Sequence, residues 1–220
     1  MRKLVLATVL LVISSSMALM AQQPKNASAP KAEKKMLVTY FTFPERDGVD
    51  ASTGASRIVV SDKMYGTTEY VAKVIAEETG ADMFQIKTTH TYPNSSHKEL
   101  IDYAKKEADS KTYPKMASKI INFADYDVVF VGYPNWWYDM PMVIYTLFNE
   151  YDFSGKTIVP FCTHGGSGFS QSVQTIEKLE KGAKVVSMPA ISRNNAAASR
   201  GGLQKWLQEK RFANNKQPKK

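Results

Sequence analysis

Two kinds of hydrophobic pattern follow one another along residues 36–210. Short, nearly continuous apolar runs, which are typical of buried strands, occur at residues 36–41, 81–87, 127–132, 156–162 and 183–188. Apolar residues at three- and four-residue spacing predict helices at residues 68–79, 98–110, 142–150, 170–181 and 196–210. Gly80, directly after the first helical pattern, is a typical helix stop. Because strand and helix alternate five times, we predict an α/β fold with a parallel sheet and helices on both faces.

The first 35 residues do not follow this pattern. Residues 1–21 have a basic start, then an apolar run, then small residues, which is the order of a secretory signal peptide with cleavage after Ala18 or Ala21. An uncleaved membrane anchor is the alternative, but the apolar run is short for a bilayer span. We therefore expect export, to a periplasmic location, with no membrane span after cleavage. Residues 22–35, rich in Pro, Ala, Ser and Lys, are predicted to be a flexible linker.

The net charge of +8 is a reason to consider nucleic-acid or membrane-surface binding. However, the leader, the linker and the segment from residue 210 onward carry +2, +3 and +5, so residues 36–209 are about −2. A nucleic-acid-binding face carries its basic residues on the fold, among aromatic side chains. We therefore predict no nucleic-acid partner and interpret residues 211–220 as a basic tail.

Cysteine and histidine are too few to indicate a disulfide or a metal centre. The single cysteine, Cys162, excludes an internal disulfide and is most simply a buried core residue. His90, His97 and His164 do not cluster with carboxylates at ligand spacing, so no metal site is predicted. No Ser/His/Asp arrangement can be assembled, and we assign no catalytic residue.

The loop after the first strand contains residues suited to a phosphate group. In a parallel sheet the strand-to-helix loops share one edge, where ligands bind. This loop runs from Thr42 to Gly66-Thr67-Thr68, where the first helix begins. Unpaired N–H groups, the helix dipole and the hydroxyl groups all favour an anion there. A plain helix N-cap is the alternative interpretation of the same residues.

This first loop is unusually long and contains a rival phosphate candidate. Residues 52–56, with the sequence Ser-Thr-Gly-Ala-Ser, precede a strand-like segment at residues 57–60 and a turn at residues 61–63. Because no helix follows the rival, it lacks the dipole that helps to bind an anion. We interpret it as part of a hairpin-like insertion over residues 43–65.

The loop after the third strand is rich in rigid aromatic residues. It reads Tyr133-Pro134-Asn135-Trp136-Trp137-Tyr138-Asp139-Met140-Pro141. A flat tricyclic ligand would gain from stacking on such rings, and a stiff loop loses little entropy on binding. The alternative is that the tryptophans only cover the end of the sheet. Since adjacent tryptophans cannot easily both point inward, we expect at least one to be accessible.

The loop after the fourth strand is rich in glycine. It reads Thr163-His164-Gly165-Gly166-Ser167-Gly168. Glycines allow the backbone to approach a ligand closely and leave N–H donors available. The alternative is a merely flexible connection, but the loop lies at the same sheet edge as the other two. His164 is a candidate ligand contact because of its glycine neighbours.

Together these loops resemble the flavodoxin family over residues 36–208. Thr42 with Gly66-Thr67-Thr68 is similar to the family's phosphate loop, here split by the insertion. The segment Gly132 to Trp137 is similar to its loop along the flavin ring, and residues 163–168 correspond to a third ring-contacting segment found in one branch of the family. The departures are the insertion, Thr67 where asparagine is usual, and the export signal.

The resemblance implies a flavodoxin-like three-layer fold over residues 36–210, with five parallel strands in the order 2-1-3-4-5. It implies a bound FMN held by Thr42, Gly66, Thr67, Thr68, Tyr133, Pro134, Asn135, Trp136, Trp137, Thr163, His164, Gly165, Gly166 and Ser167. It further implies electron transfer, or a small FMN-dependent reductase, outside the cytoplasm, with an unknown redox protein or small electron acceptor as partner. A lid formed by the insertion would favour a reductase. The alternative is a flavin-free binding module that retains the fold.

Overall fold

The computed structural model describes residues 34–46 and 55–214. The predicted signal peptide at residues 1–21, residues 22–33 of the linker, residues 47–54 of the insertion and residues 215–220 of the tail lie outside the described residues. In the two described segments, no helix combines the length and the apolar character needed to cross a membrane.

The strands, in chain order, are β1 (Met36–Phe41), β2 (Arg57–Val60), β3 (Lys63–Gly66), β4 (Asp82–Ile86), β5 (Val128–Pro134), β6 (Thr157–His164), β7 (Lys184–Val185) and β8 (Ile191–Ser192). The helices are α1 (Thr67–Thr79), α2 (His97–Asp109), α3 (Met142–Glu150), α4 (Ser172–Leu179) and α5 (Arg200–Glu209), with a short 3-10 helix at Phe123–Asp125. The main sheet has the order β4-β1-β5-β6-β7, and all its pairings are parallel. Because β2 and β3 form a separate hairpin, this is the predicted order 2-1-3-4-5, which is confirmed.

The core consists of two apolar layers, one on each face of the sheet. Alternate residues of β5 point to opposite faces, as the pleat of a strand requires. Val129 and Val131 join the layer that contains α3 and α4, whereas Val128 and Phe130 join the layer that contains α1 and α5. The predicted three-layer arrangement, with helices on both faces, is therefore confirmed.

The last strand is shorter and more broken than predicted. Instead of one strand over residues 183–188, β7 pairs with the start of β6 and β8 pairs with its end. Between them, Met188 N–H donates to the carbonyl of Pro160 in β6. Because Pro160 has no N–H to donate back, the regular ladder is interrupted at this edge of the sheet.

The packed chain also extends past the boundary predicted at residue 210. Phe212 is buried against Phe130 and stacks on Trp206, and the Asn214 N–H donates to the carbonyl of Glu78. Its many basic residues favoured the interpretation as a tail, although the segment contains one large apolar side chain, that of Phe212. Residues 211–214 therefore belong to the domain.

The insertion contains the predicted hairpin. Strands β2 and β3 pair antiparallel from Arg57 opposite Gly66 to Val60 opposite Lys63. The connecting residues Ser61 and Asp62 both have positive φ, 49° and 60°, as a two-residue hairpin turn requires. The hairpin leads directly into α1.

Gly132 in β5 offers a test of this packing. A Cβ at this position would lie 2.1 Å from the ring of Phe161, which is fully buried in β6. We expect Gly132→Ala to destabilise the fold by about 2 kcal/mol, because the ring has no room to move. Urea unfolding of both proteins measures the difference.

The matched control is Gly202→Ala in α5, where a Cβ would meet no atom within 4 Å. Since alanine is the better helix former, this variant should be as stable as the parent or slightly more stable. Equal stability of the Gly132→Ala variant and the parent would contradict the close contact with Phe161.

The buried carboxyl of Glu107 in α2 gives the fold a pH dependence. Its Oε2 accepts a hydrogen bond of 2.9 Å from the hydroxyl of Tyr92, and its Oε1 lies 3.7 Å from Nε2 of His90. Burial raises the pKa of Glu107 to about 7, although the bond from Tyr92 partly opposes this. The carboxyl is therefore neutral in the folded protein at mildly acidic pH.

We expect Glu107→Gln to remove this pH dependence. In the unfolded chain the carboxyl ionises near pH 4.5, so its stabilising contribution is full below that pH and is lost as the pH rises through about 7. The variant should be more stable than the parent at alkaline pH, by about 2 kcal/mol. Thermal or urea unfolding across this range measures it. The control is Asp102→Asn, which changes an exposed carboxylate on the same helix. Identical pH profiles for the parent and for Glu107→Gln would contradict the assignment of the pH dependence to the buried carboxyl of Glu107.

Candidate functional site

The two halves of the split first loop lie against each other. Thr42 directly follows β1, and Gly66 directly precedes α1. A Cβ on Gly66 would lie only 2.2 Å from Oγ1 of Thr42, so glycine is needed for this approach. The Thr42 hydroxyl is thereby brought to the N-terminus of α1, despite the insertion between the two residues.

The N-terminus of α1 retains polar groups suited to an anion. The N-cap residue, Gly66, has no side chain to accept a hydrogen bond, and the thirteen residues of α1 supply a dipole with its positive end here. Thr67 N–H donates to the carbonyl of Ser56, and Gly66 N–H donates to the Glu69 carboxylate. The Thr67 hydroxyl is buried and has no hydrogen-bond partner within the described part of the chain. A buried orphan hydroxyl is uncommon in a folded protein and indicates a group that a ligand could satisfy.

The second loop is a strained turn. Trp136 and Asp139 exchange two backbone hydrogen bonds, and Trp137 and Tyr138 between them have φ of 52° and 64°. Positive φ at two consecutive bulky residues is rare and costs free energy that the surroundings must offset. The Tyr138 N–H donates to the side chain of Asn135, and the indole N–H of Trp137 donates to the carbonyl of Ile101 in α2. These bonds fix the turn.

The two tryptophans point in different directions, as expected. Trp136 is partly buried, and its ring meets Phe41 and Tyr92 edge to face, at centroid distances of 5.5 and 5.3 Å. Trp137 remains 43% exposed. Hence Trp136 is anchored in the core by other aromatic rings, and Trp137 presents an accessible ring at the rim.

The third loop is bonded to both of the others. The hydroxyl of Thr163 shares a buried 2.8 Å hydrogen bond with that of Thr68 in α1. The side-chain amide of Asn135 donates to the carbonyl of Gly168 at 2.9 Å. Nδ1 of His164 is buried and unpartnered among residues 34–46 and 55–214, and burial lowers the pKa of this histidine. The side chain of His164 therefore holds one polar atom that no described group satisfies.

The three loops enclose one cavity of about 600 Å³, within the usual range for a small-molecule site. The predicted site residues that line it are Thr42, Thr68, Pro134, Asn135, Trp136, Trp137, Thr163, His164, Gly165, Gly166 and Ser167. Gly66 and Thr67, the N-cap and the first residue of α1, were also predicted but are not among the lining residues. The Tyr133 side chain is wholly buried, with its hydroxyl on that of Ser172. Because β5 extends to Pro134, the alternation of the strand turns this ring into the core.

A further part of the lining comes from α2, whose contribution was not predicted from the sequence, and from the insertion, which was considered as a lid. Leu100, Ile101 and Ala104 of α2 and Phe43 of the insertion form an apolar surface, which we call the α2 wall. His97, the first residue of α2, also lines the cavity and pairs with the carboxylate of Glu45. The apolar spacing of residues 98–110 predicted a helix, but it did not indicate that this helix borders a cavity.

The charges of the lining residues make the cavity neutral or acidic rather than basic. The residues lining it within the described chain include Glu45 but no lysine or arginine. No group of three or more His, Cys, Asp or Glu side chains in the described segments could hold a metal ion. Cys162 is fully buried behind the third loop, and burial raises the pKa of its thiol.

Comparisons with known proteins match this architecture. The chain is similar to a candidate flavoprotein from Bacteroides eggerthii, with 26% identity, a TM-score of 0.62, and coverage of 80% of this chain and 97% of that one. A candidate flavoprotein from Bacteroides uniformis has 24% identity, a TM-score of 0.57, and coverage of 80% and 98%. A flavoprotein from Lactobacillus acidophilus, solved in complex with FMN, has 16% identity, a TM-score of 0.53, and coverage of 76% and 99%.

No curated protein sequence gave a significant match. The sequence model of the family described as Flavodoxin matches residues 57–210, which is most of the described chain and more than half of the whole sequence. That range contains α1, the aromatic loop and the glycine-rich loop. The chain belongs to the flavodoxin family.

Proposed function

We propose that the cavity binds FMN and that the protein transfers electrons, as a carrier or as a small FMN-dependent reductase. The observation that carries the proposal is the convergence of three chemically different loops on one cavity. One loop offers hydroxyls at a helix N-terminus, the second offers aromatic rings, and the third offers glycine backbone and a buried imidazole nitrogen. These are the contacts that a phosphate, a flat heterocycle and its polar edge require.

The phosphate end of the ligand fits the start of α1. Thr42 and Thr68 line the cavity there, and the orphan hydroxyl of Thr67 belongs to the same helix N-terminus. Since no described lysine or arginine lines the cavity, the anion would be held by neutral donors and the helix dipole.

The ring of the ligand fits the second and third loops. Trp136 and Trp137 supply aromatic surface, held rigid by the hydrogen bonds of the strained turn. His164 Nδ1 and the backbone of Gly165 and Gly166 would meet the polar edge of the ring. A bound flavin supplies the capacity to accept and donate electrons, while the protein binds it and tunes its potential.

Two observations bear on whether the protein is a carrier or a reductase. Phe43, Glu45, Ala55 and Ser56 bring the insertion to the cavity. The α2 wall adds apolar lining beyond the three loops, which favours a site for a second small substrate and hence a reductase.

We also propose that the protein acts outside the cytoplasm, after removal of residues 1–21. The proposal rests on the basic, apolar and small residues of that segment, in that order. Expression of the full sequence in a bacterium, followed by fractionation and mass determination, tests it. Recovery of the uncleaved chain from the cytoplasm would contradict it.

Thr42→Val tests the phosphate contact. Valine has nearly the same shape as threonine but no hydroxyl, so the variant should bind FMN about tenfold more weakly. Its affinity for riboflavin, which has no phosphate, should not change. Quenching of flavin fluorescence in titrations with each ligand measures both.

The matched control is Thr39→Val in β1. Its hydroxyl is buried, has no partner in the described residues, and lies away from the cavity lining. This variant should bind FMN like the parent. An equal loss of FMN and riboflavin affinity in Thr42→Val would contradict the assigned phosphate contact. If the parent protein binds neither ligand, the flavin-free binding module is the correct interpretation.

The charge of the cavity predicts its redox behaviour. Reduction adds negative charge to a flavin, and the lining contains a carboxylate but no described lysine or arginine. We therefore expect the midpoint potential of bound FMN to be more negative than that of free FMN. Spectroscopic redox titration of both in one buffer measures the difference. A midpoint potential equal to or above that of free FMN would contradict the prediction that the charge of the cavity lining sets the potential of bound FMN.

A further inference from the structure

Three aromatic rings that can be oxidised lead from the cavity to the protein surface. Trp136 lines the cavity, and its ring meets that of Tyr92 edge to face at a centroid distance of 5.3 Å. The ring of Tyr92 meets that of Tyr103 in α2 in the same way, at 5.6 Å. Tyr92 is 2% exposed and does not line the cavity, whereas Tyr103 is 39% exposed. We call Trp136, Tyr92 and Tyr103 the aromatic relay.

The middle ring of the relay has a proton acceptor within hydrogen-bond reach. The Tyr92 hydroxyl donates to Oε2 of Glu107 at 2.9 Å, and burial raises the pKa of Tyr92, so the phenol keeps its proton until it is oxidised. The pKa of Glu107 is about 7, so its carboxylate is ionised at alkaline pH and can accept this proton. Within the described chain, the titratable groups that face Glu107 are Tyr92 and His90, both from the segment before α2, and no lysine or arginine pairs with it.

Packing alone does not explain this arrangement. Phenylalanine would fill the place of Tyr92, and replacing a buried polar pair by apolar side chains is often neutral or stabilising. Glu107 is 5% exposed, so its ionisation above about pH 7 costs free energy. A costly carboxyl that is joined to the cavity through two aromatic rings indicates a chemical role.

The hydrogen bond to Glu107 determines which ring beyond Trp136 can be oxidised. Phe41 and Phe43 also contact Tyr92, but a phenyl ring loses an electron far less readily than an indole or a phenol. A phenol that loses an electron becomes a strong acid, so its oxidation is favourable where a base accepts the proton. Glu107 is that base in the core, and water is the base at Tyr103.

We propose that the aromatic relay carries an oxidising equivalent from the cavity to the surface, with Glu107 as the proton acceptor of Tyr92. The proposal rests on the proposed function, because light-excited FMN bound in the cavity is the one-electron oxidant. The relay removes the oxidising equivalent from the residues that surround the ligand, and a dissolved reductant then neutralises it at the surface.

The steps balance in electrons and protons. Trp136 gives one electron to the oxidant and Tyr92 replaces it, while the O–H bond of Tyr92 breaks and its proton forms an O–H bond on Glu107. Tyr103 then gives an electron to Tyr92, which takes its proton back from Glu107, and the phenol proton of Tyr103 passes to water. A dissolved thiol or enediol finally returns a hydrogen atom to Tyr103. One electron has then moved from the dissolved reductant to the oxidant, and every side chain is restored.

Flash excitation of the FMN-saturated protein with blue light tests the relay, with transient absorption and electron paramagnetic resonance as readouts. At alkaline pH the parent should show a tryptophanyl radical signal that decays as a tyrosyl radical signal forms. Tyr92→Phe, which keeps the shape of the ring, should lose this conversion. Glu107→Gln should slow the conversion at least about tenfold, because an amide cannot accept the proton.

Tyr103→Phe tests the surface end of the relay. The tyrosyl radical should then remain on the buried Tyr92, so added ascorbate should quench it more slowly than in the parent. The matched control is Tyr113→Phe, which changes a tyrosine of similar exposure, 45%, that stacks on Tyr145 outside the relay. This variant should behave like the parent in both measurements.

Absence of the tyrosyl signal in the parent, or an unchanged rate of conversion in Tyr92→Phe or Glu107→Gln, would overturn the proposal. Failure of the parent to bind FMN would instead contradict the proposed function. Azide radicals, which oxidise tryptophan from solution, then replace flavin as the oxidant of the flavin-free protein. Conversion that depends on Tyr92 would support the relay by itself, and conversion that is absent or independent of Tyr92 would overturn it.

Discussion

The parallel register of β1, β5 and β6 is the constraint on which the site depends. The strands are neighbours in the sheet, with Tyr40 opposite Gly132 and Pro134 opposite Thr163. Since all three run in the same direction, the residues after each of them emerge at one edge. The bonds from Thr163 to Thr68 and from Asn135 to Gly168 then join the loops to one another. The order and direction of the strands therefore determine where the cavity lies, and the loops provide polar and aromatic groups that line it.

Much of this arrangement could be predicted from the sequence, because its signals are local. The apolar run of β5, the helical spacing of α1 and the stop at Gly80, which has φ of 71°, all depend on neighbouring residues. The contribution of α2 could not be predicted in the same way. Glu45 and His97 are 52 positions apart in the sequence, so no local pattern indicates that they pair. A hydrophobic pattern shows that a helix face is buried, but not whether it borders a core or a cavity.

The aromatic loop combines strain with rigidity. Positive φ at Trp137 and Tyr138 is unfavourable, and it persists because Asn135 and the carbonyl of Ile101 hold the turn from both sides. Such strain is concentrated at binding sites, where it fixes a surface before a ligand arrives. The bond from Trp137 to the carbonyl of Ile101 also links this loop to α2. The sequence indicated the stiffness through its prolines, but it gave no sign of the turn type.

The central claim is that FMN occupies the edge where the three loops meet. Backbone amide NMR of the isotope-labelled protein, recorded during titration with FMN, tests this residue by residue. The account predicts that the amides of residues 66–69, 135–138 and 163–167 shift together and saturate at one FMN per protein, while those of β7 and of the C-terminal half of α5 do not move. Absence of shifts, or shifts confined to a different surface of the domain, would contradict it.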